Sequence, residues 1–263
     1  MGLATAELTS YVEELELVET PPEIQELAAA GRLEGGIAAA EPEKPSADVD
    51  KGSLVSFVAG ITQKHRADAL NSTLFAQLAS DYAYNRLDPS QVMKWYEKYV
   101  EVLGNIGWAI QEFNFQNYEA GGSTFSVDSA IIKIVASFLP AGEVKIVEAA
   151  LTALSELSSD NPWYKVWESS SHSANGGSFQ VLPCSDEEGK GPLVMGCTGF
   201  SFTTTEDTTR FLWVDYHSSD TSMHYSQQIS TLDDDVYSQV RNQIVERLGA
   251  KAEQYVGTIP LGG

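Results

Sequence analysis

The chain has 263 residues, 43% hydrophobic and 10% aromatic, enough to bury a full core and too apolar for disorder throughout. Its 37 acidic and 16 basic residues give a formal charge of −21, which repels phosphate backbones and anionic headgroups and argues against a nucleic-acid partner. No stretch approaches the roughly eighteen apolar residues of a membrane span; the most apolar one, Ala130 to Leu139, is interrupted by Lys133, so an integral helical membrane protein is excluded.

The acidity is concentrated at the front. Twelve acidic and two basic residues, Arg32 and Lys44, fall in residues 1–50. MGLATAELTSYVEELELVE has neither a basic n-region nor an unbroken apolar h-region, so no Sec-type signal peptide is expected. Ala6 stands where a myristoylation motif has Ser or Thr. The expectation is a soluble protein, cytoplasmic at synthesis, with export by a signal-independent route left open.

Behind Thr5, the positions of Leu8, Tyr11, Val12 and Leu15 have helical spacing, and Pro22 opens a second short helix, PEIQELAAAG. From Gly35 to Gly52 little is large enough to bury, which reads as a linker. Residues 1–52 are therefore expected to form an acidic helical arm. Its apolar stripe must dock on the body or on another copy, because isolated helices this short are marginal in water.

Ser53 is expected to cap a helical run through Leu54, Phe57, Val58, Ile61, Leu70, Leu74, Phe75, Leu78 and Tyr82. Asp88-Pro89 marks the next start. The helix that follows, to about Tyr118, carries Trp95, Tyr99, Leu103 and Ile106 on one stripe with Tyr96 and Trp108 beside it, the breadth of a central buried helix. Two more helices, Phe125 to Phe138 and Glu143 to Leu157, flank a Pro140-Ala141-Gly142 turn. This pair is either core or a hairpin that leaves the body for a bilayer, with Lys133, Glu143, Lys145 and Glu148 on a wet face.

Asp160-Asn161-Pro162 closes the helical part. Five short strands follow, in WYKVWESSS, SFQVLPC, LVMGCTGFSFTTT, TRFLWVDYHS and MHYSQQIST. In the third, Val194, Gly196, Thr198, Phe200 and Phe202 share one face while Met195, Cys197, Gly199 and Ser201 share the other, so the sheet is expected to be covered on both sides. Asp233 to Asp235 begin a final amphipathic helix, and the tail YVGTIPLGG reads as extended. The fold class is α+β: an arm over 1–52, then one domain with a helical part (53–161) packed on an antiparallel β-meander (162–231) and a last helix (232–254).

Cys184 and Cys197 flank a hairpin loop, SDEEGKGP, at unequal distances, so two free thiols are expected rather than a disulfide. Cys197, with Met195, Gly196 and Gly199 around it, is either a small buried hydrophobe or a thiol with room beside it for a ligand or an acyl chain. If the chain is an enzyme, Cys197 is its nucleophile; His172, His217 and His224 lie in the same β region with Asp215 and Asp220 as orienters, no spacing compels a triad, and the set expected is Cys197, His217 and Asp215. Asp215 and His217 share a strand face that a turn could bring to His224, a metal-ligand set that reads equally as a solvated hairpin end; no metal is expected. There is no G-x-S-x-G, P-loop, dinucleotide fingerprint or H-E-x-x-H.

WYEKYVEVLGNIGW (95–108), FNFQNY, SSSHSANGGSF, FLWVDY and DVYSQVR resemble uncharacterised bacterial proteins over most of residues 53–258. In layout the chain is also similar to the Erwinia virulence factor Evf, an α+β protein whose later half carries a palmitoylated cysteine. That resemblance implies Cys197 as an acylated position, a covalent fatty acyl group as the one cofactor-like addition, and lipid or membrane as partner. The expected function is a non-enzymatic, virulence-type or toxin-like protein that binds lipid. The alternatives are a self-assembling protein whose 1–52 arm docks on neighbouring copies, and a cysteine-dependent hydrolase or acyltransferase.

Overall fold

Caps and burial patterns place the elements of the computed structural model, which describes residues 5–35, 43–206 and 210–261. Helices α1 (Thr5–Glu14) and α2 (Pro22–Gly35) precede a hairpin of β1 (Ser46–Asp50) and β2 (Ser53–Phe57), then α3 (Gln63–Ala83) and α4 (Val92–Asn105). Short strands β3 (Trp108–Ala109), β4 (Gln116–Asn117) and β5 (Thr124–Ser126) lead to the helix pair α5 (Val127–Ala136) and α6 (Ala141–Glu156). Next come α7 (Pro162–Ser171), β6 (His172–Ser173), β7 (Gly176–Ser185), β8 (Val194–Thr204), β9 (Asp215–His217) and β10 (Thr221–Leu232). Three short helices, α8 (Asp234–Tyr237), α9 (Arg241–Leu248) and α10 (Ala250–Tyr255), and β11 (Val256–Ile259) complete the order.

The α+β class holds, with a wider sheet than the expected meander. Its order is β11-β1-β2-β7-β8-β10-β3, with β4 also on β10 and β6 on β7. Only the β7-β8-β10 centre is the consecutive antiparallel run read from the sequence. β1 and β2 add to it through a parallel pairing, Ser53↔Gln180 to Phe57↔Cys184, and β11 adds antiparallel to β1. β5 and β9 form a separate two-stranded sheet.

Several expected elements change type for identifiable reasons. SLVSF, read as a helix start, is a strand buried at every position, because a short apolar run suits a central strand as well as a helix. The helix begins later, where Thr62 Oγ1 accepts from the His65 N–H at 3.2 Å. Part of the expected 35–52 linker is β1, with alternating Asp48 and Asp50 turned to one face; residues 36–42 lie outside the described residues. WYKVWESSS is α7 rather than a strand: Asn161 accepts from the N–H groups of Trp163 and Tyr164, and Pro162 sits in the first turn. Of TRFLWVDYHS, described from Arg210, residues 210–214 are turn and Asp215–His217 a strand, and the expected TEDT turn lies partly outside the described residues.

The central helix is as buried as its pattern implies, with Trp95, Tyr99 and Leu103 fully inaccessible. It stops at Asn105, short of Tyr118: Gly107 takes φ 113°, a methyl group there would lie 3.1 Å from the Asp233 carbonyl, and the Gly107 carbonyl accepts from the Asp233 N–H at 2.8 Å. The single final helix is three, interrupted at Gly249 with φ 49°. The extended tail becomes β11. The arm's stripe docks on its own chain: Leu8, Val12, Ile24 and Ala28 are buried, and Arg247 donates to the carbonyls of Glu13 and Leu15. Gln243 donates to the Thr9 carbonyl at 3.2 Å, and Arg32 pairs with Glu253 at 2.9 Å.

A buried polar cluster closes the seam where β2 meets β7. Arg86 donates from Nε to the Ser170 carbonyl at 2.7 Å and from Nη1 to Oε1 of Gln77 and Gln180 at 3.1 and 3.3 Å. Ser53 Oγ donates to Gln180 at 2.8 Å, and the Gly52 N–H donates to Gln77 at 3.1 Å. The Arg86 head stacks over Trp95, 5.0 Å from its ring centre, and presses against Gly52. A methyl group at Gly52 would lie 1.1 Å from Arg86 Nη2, a clash that only expulsion of the guanidinium relieves.

Gly52→Ala is therefore expected to lower stability by about 3 kcal/mol or more, the scale for breaking a buried charged cluster. Gly142→Ala in the first turn of α6, where a methyl meets nothing within 4 Å, is expected to gain about 0.5–1 kcal/mol. Urea unfolding of both variants checks this; equal midpoints would refute the role of Arg86.

Candidate functional site

The two faces of the sheet are dressed differently. In β8 the split by parity is as the sequence implies. Gly196 faces the α5–α6 turn, while Gly199 faces Tyr96 of α4 and Phe113 of the segment between β3 and β4. Cys197, opposite Gln228 of β10, shares the α4 face.

Of the two glycines only Gly199 shares the face of Cys197, and both are closely packed. A methyl group at Gly196 would come 2.9 Å from Leu139 Cδ2 and 3.1 Å from Pro183 Cγ. One at Gly199 would come 2.9 Å from Tyr96 Cε1 and 3.1 Å from Phe113 Cε1. Met195 and Cys197 are fully buried, and the thiol lies 3.7 Å from the Met195 carbonyl. Burial pushes the Cys197 thiol far above its ordinary range, and burial with the neighbouring Cys197 does the same to Cys184. Both cysteines are free. A thiol in this state is a small hydrophobe, without the thiolate a nucleophile requires.

The conditional catalytic set does not assemble. Asp215 and His217 lie exposed on β9 in the second sheet, and His217 Nδ1 is 3.2 Å from Glu206 Oε2. His224 lies on β10 beside Asn117 of β4, so the Asp215–His217–His224 grouping does not form either. Glu206 and Asp220 approach His217 instead.

The α3 and α4 face is held by buried polar links. Arg66 Nη2 donates to both oxygens of Asp48 at 2.6 Å, and Thr73 Oγ1 donates to Asp50 at 2.5 Å. Burial, against the Thr73 hydrogen bond, pushes the Asp50 carboxyl up to about 8, so this side chain is mostly neutral at neutral pH. Lys51 reaches Asp81 at 2.5 Å, and Asp81 also accepts from Trp95 Nε1 at 2.5 Å. Tyr96 donates toward the Phe179 and Phe200 carbonyls at 3.0 and 3.2 Å. Such groups hold their partners firmly, since separating them strands desolvated donors and charges.

The opposite face is mostly apolar, the buried hydroxyls of Ser56 and Thr198 being its polar groups. β1 and β2 turn Ala47, Val49 and Leu54 toward it, and β7 and β8 add Phe179, Val181, Phe200 and Phe202. At one end α7 and the 210–214 turn cover it with stacked rings, Trp167 on Phe211 at 5.2 Å and Phe211 on Phe202 at 5.1 Å. The rest lies under α5 and α6, which bury Val127, Ile131, Ile134, Val135, Val147, Leu151 and Leu154. Among the described residues, the polar side-chain links of this pair lie at its rim: Ser137 with Gln227 at 3.2 Å, Glu143 with Ser185 at 3.0 Å, and Arg210 to the Ser155 and Leu157 carbonyls. All are exposed or half-buried. We take this apolar face with its α5–α6 cover as the candidate site.

The sequence named the helix pair and missed what makes it distinctive. Nothing in the periodicity shows that Asp48, Asp50, Gln77, Arg86 and Gln180 converge on the other face. The alternation in SADVD was the available signal: it marks a strand with an acidic side.

No protein-family model and no curated protein matches the chain. Solved structures do. A delta-endotoxin is similar at 13% identity, over 70% of this chain and 84% of its own, with a TM-score of 0.38. The activated Cyt2Ba monomer from Bacillus thuringiensis subsp. israelensis is similar at 14% identity, over 69% of this chain and 96% of its own, also with a TM-score of 0.38.

Thiol labelling checks the reading of Cys197. Iodoacetamide at pH 8 is expected to leave both cysteines unmodified in the folded protein and to alkylate both in denaturant. Rapid native labelling of Cys197 would restore a reactive cysteine.

Proposed function

We propose that the chain is a non-enzymatic, toxin-like protein that acts by binding lipid membranes, with the α5–α6 pair as the layer that opens on the bilayer. The observation that carries this is the asymmetry of the sheet: one helix layer is held by buried hydrogen bonds and ion pairs, the other by apolar contact and rim links. Seven large aliphatic side chains under α5–α6, at roughly 1.5–3 kcal/mol each, keep the layer closed in water with on the order of 10–20 kcal/mol. Contact with acyl chains offsets that same term and leaves the rim links as the main resistance. The buried links of the α3–α4 layer gain nothing comparable from a lipid surface.

The form of contact follows from length. α6, with 16 residues, extends roughly 24 Å at about 1.5 Å per residue, short of the roughly 30 Å hydrocarbon core. No helix among the described residues is long and apolar enough to cross a membrane. The pair is therefore suited to lying in the interface, with Lys133, Lys145 and Glu148 kept in water. The charge of −21 favours zwitterionic over anionic surfaces. This mode needs no acyl group on Cys197. The self-assembling alternative needs an unpartnered arm, whereas Leu8, Val12, Ile24 and Ala28 are spent on the arm's own body.

Dye release from vesicles tests the proposal. The full chain is expected to release dye from phosphatidylcholine vesicles, and less from phosphatidylserine vesicles, the difference narrowing as salt screens the repulsion. In a Ser137→Cys/Gln227→Cys variant, a bismaleimide bridging the two cysteines should abolish release, while monofunctional maleimide should not. Undiminished release from the bridged protein would rule out opening of α5–α6, and absence of binding to either vesicle would rule out the membrane reading.

A further inference from the structure

The corner around β9 gathers metal-ligating groups that the membrane reading does not use. Glu206 follows β8, His217 ends β9, and Asp220 lies in the turn before β10. One imidazole nitrogen and one oxygen from each carboxylate all lie within 4.8 Å of one another.

We propose that Glu206, His217 and Asp220 form a binding site for one divalent transition-metal ion of the zinc class. The donor set is one imidazole and two carboxylates, which suits zinc and its neighbours, while calcium and magnesium take oxygen shells. His217 Nδ1 and Glu206 Oε2 are 3.2 Å apart. A tetrahedral ion with bonds of about 2.0–2.2 Å sets its ligands roughly 3.3–3.6 Å apart, so this pair needs little adjustment.

The ligands are also oriented in advance. The His217 N–H donates to Glu206 Oε1 at 2.7 Å, which turns Oε2 toward the ring. Ser219 Oγ donates to Asp220 Oδ2 at 2.9 Å, and the Asp220 N–H donates to the His217 carbonyl at 3.0 Å. The Glu206 N–H donates to Thr204 Oγ1 at 3.1 Å. Such outer partners fix ligand geometry and tune affinity. Asp220 and His217 are exposed and Glu206 half-buried, so water can reach the three ligands and complete the coordination; Asp220 also borders a cleft of about 700 Å³. The net negative charge raises the local cation concentration.

An ion here would join three segments. β9 pairs with β5 through Thr124↔His217 and Ser126↔Asp215, and β5 runs directly into α5. The Ser218 N–H also donates to the Ser123 carbonyl at 2.9 Å. Bound metal would thus clamp the base of the α5–α6 pair to the end of β8. The site stands without the membrane reading; this consequence for the helix pair rests on it.

Zinc chloride titrated calorimetrically into metal-stripped full-length protein, with no lipid present, tests the site. Saturation at one ion per chain is expected. His217→Ala and Asp220→Asn, both at exposed positions, should each weaken binding at least about tenfold, the lower bound for the loss of mere outer-shell partners. Circular dichroism melts establish that both variants fold. Zinc should also slow hydrogen exchange at residues 123–126 and 215–220 in the wild type alone. Absence of saturable binding, or equal affinity in wild type and both folded variants, would overturn the site, the latter by showing diffuse association with an acidic surface.

Discussion

Arg86, 3% exposed, sets its guanidinium on the junction between β2 and β7, where the first hairpin of the chain joins the later meander in parallel. Its donors reach Gln77 of α3, Gln180 of β7 and the last turn of α7. One side chain thus ties together segments from 77 to 180. Removing any partner would leave a buried charge or amide unsatisfied, which is why the seam has to form as a unit. With that seam closed, β1 pairs with β11 and the C-terminal helices form the surface on which the N-terminal arm docks.

Concentrating polar links on one face leaves the other to shape and apolar area. Hydrogen bonds are directional and lose heavily when separated, while apolar burial depends on the surrounding solvent. The α3–α4 layer and the α5–α6 layer therefore respond differently when water gives way to lipid. This division, more than any single residue, connects the fold to the proposed action. Cys197 sits at the middle of the sheet as packing, between Met195 and the aromatic rings of α4.

Much of this was legible in the residues. The buried stripe of α4, the α5–α6 pair, the strand parity of β8 and the free thiols follow from local periodicity and loop chemistry. The errors were where local signals are ambiguous. SLVSF fits a helix start and a central strand equally well, and WYKVWESSS is rich in residues that favour strands until Asn161 and Pro162 are read as a helix start. Long-range pairing accounts for the rest. A parallel junction between residues 53–57 and 180–184, or a glutamate from position 206 beside His217, leaves no periodic trace. The glycines around Cys197 report that something comes close without saying what: Tyr96 with Phe113 at Gly199, on the face of the thiol, and Leu139 at Gly196, on the other face.

On this physics the α5–α6 layer separates from a sheet and α3–α4 layer that open only together. Native-state hydrogen exchange read by mass spectrometry over increasing denaturant tests it most directly. Amides of residues 128–156 are expected to exchange through a partial opening of lower free energy and weaker denaturant dependence than those of β2, β7 and β8. Exchange of both groups at one free energy with one denaturant slope would contradict it.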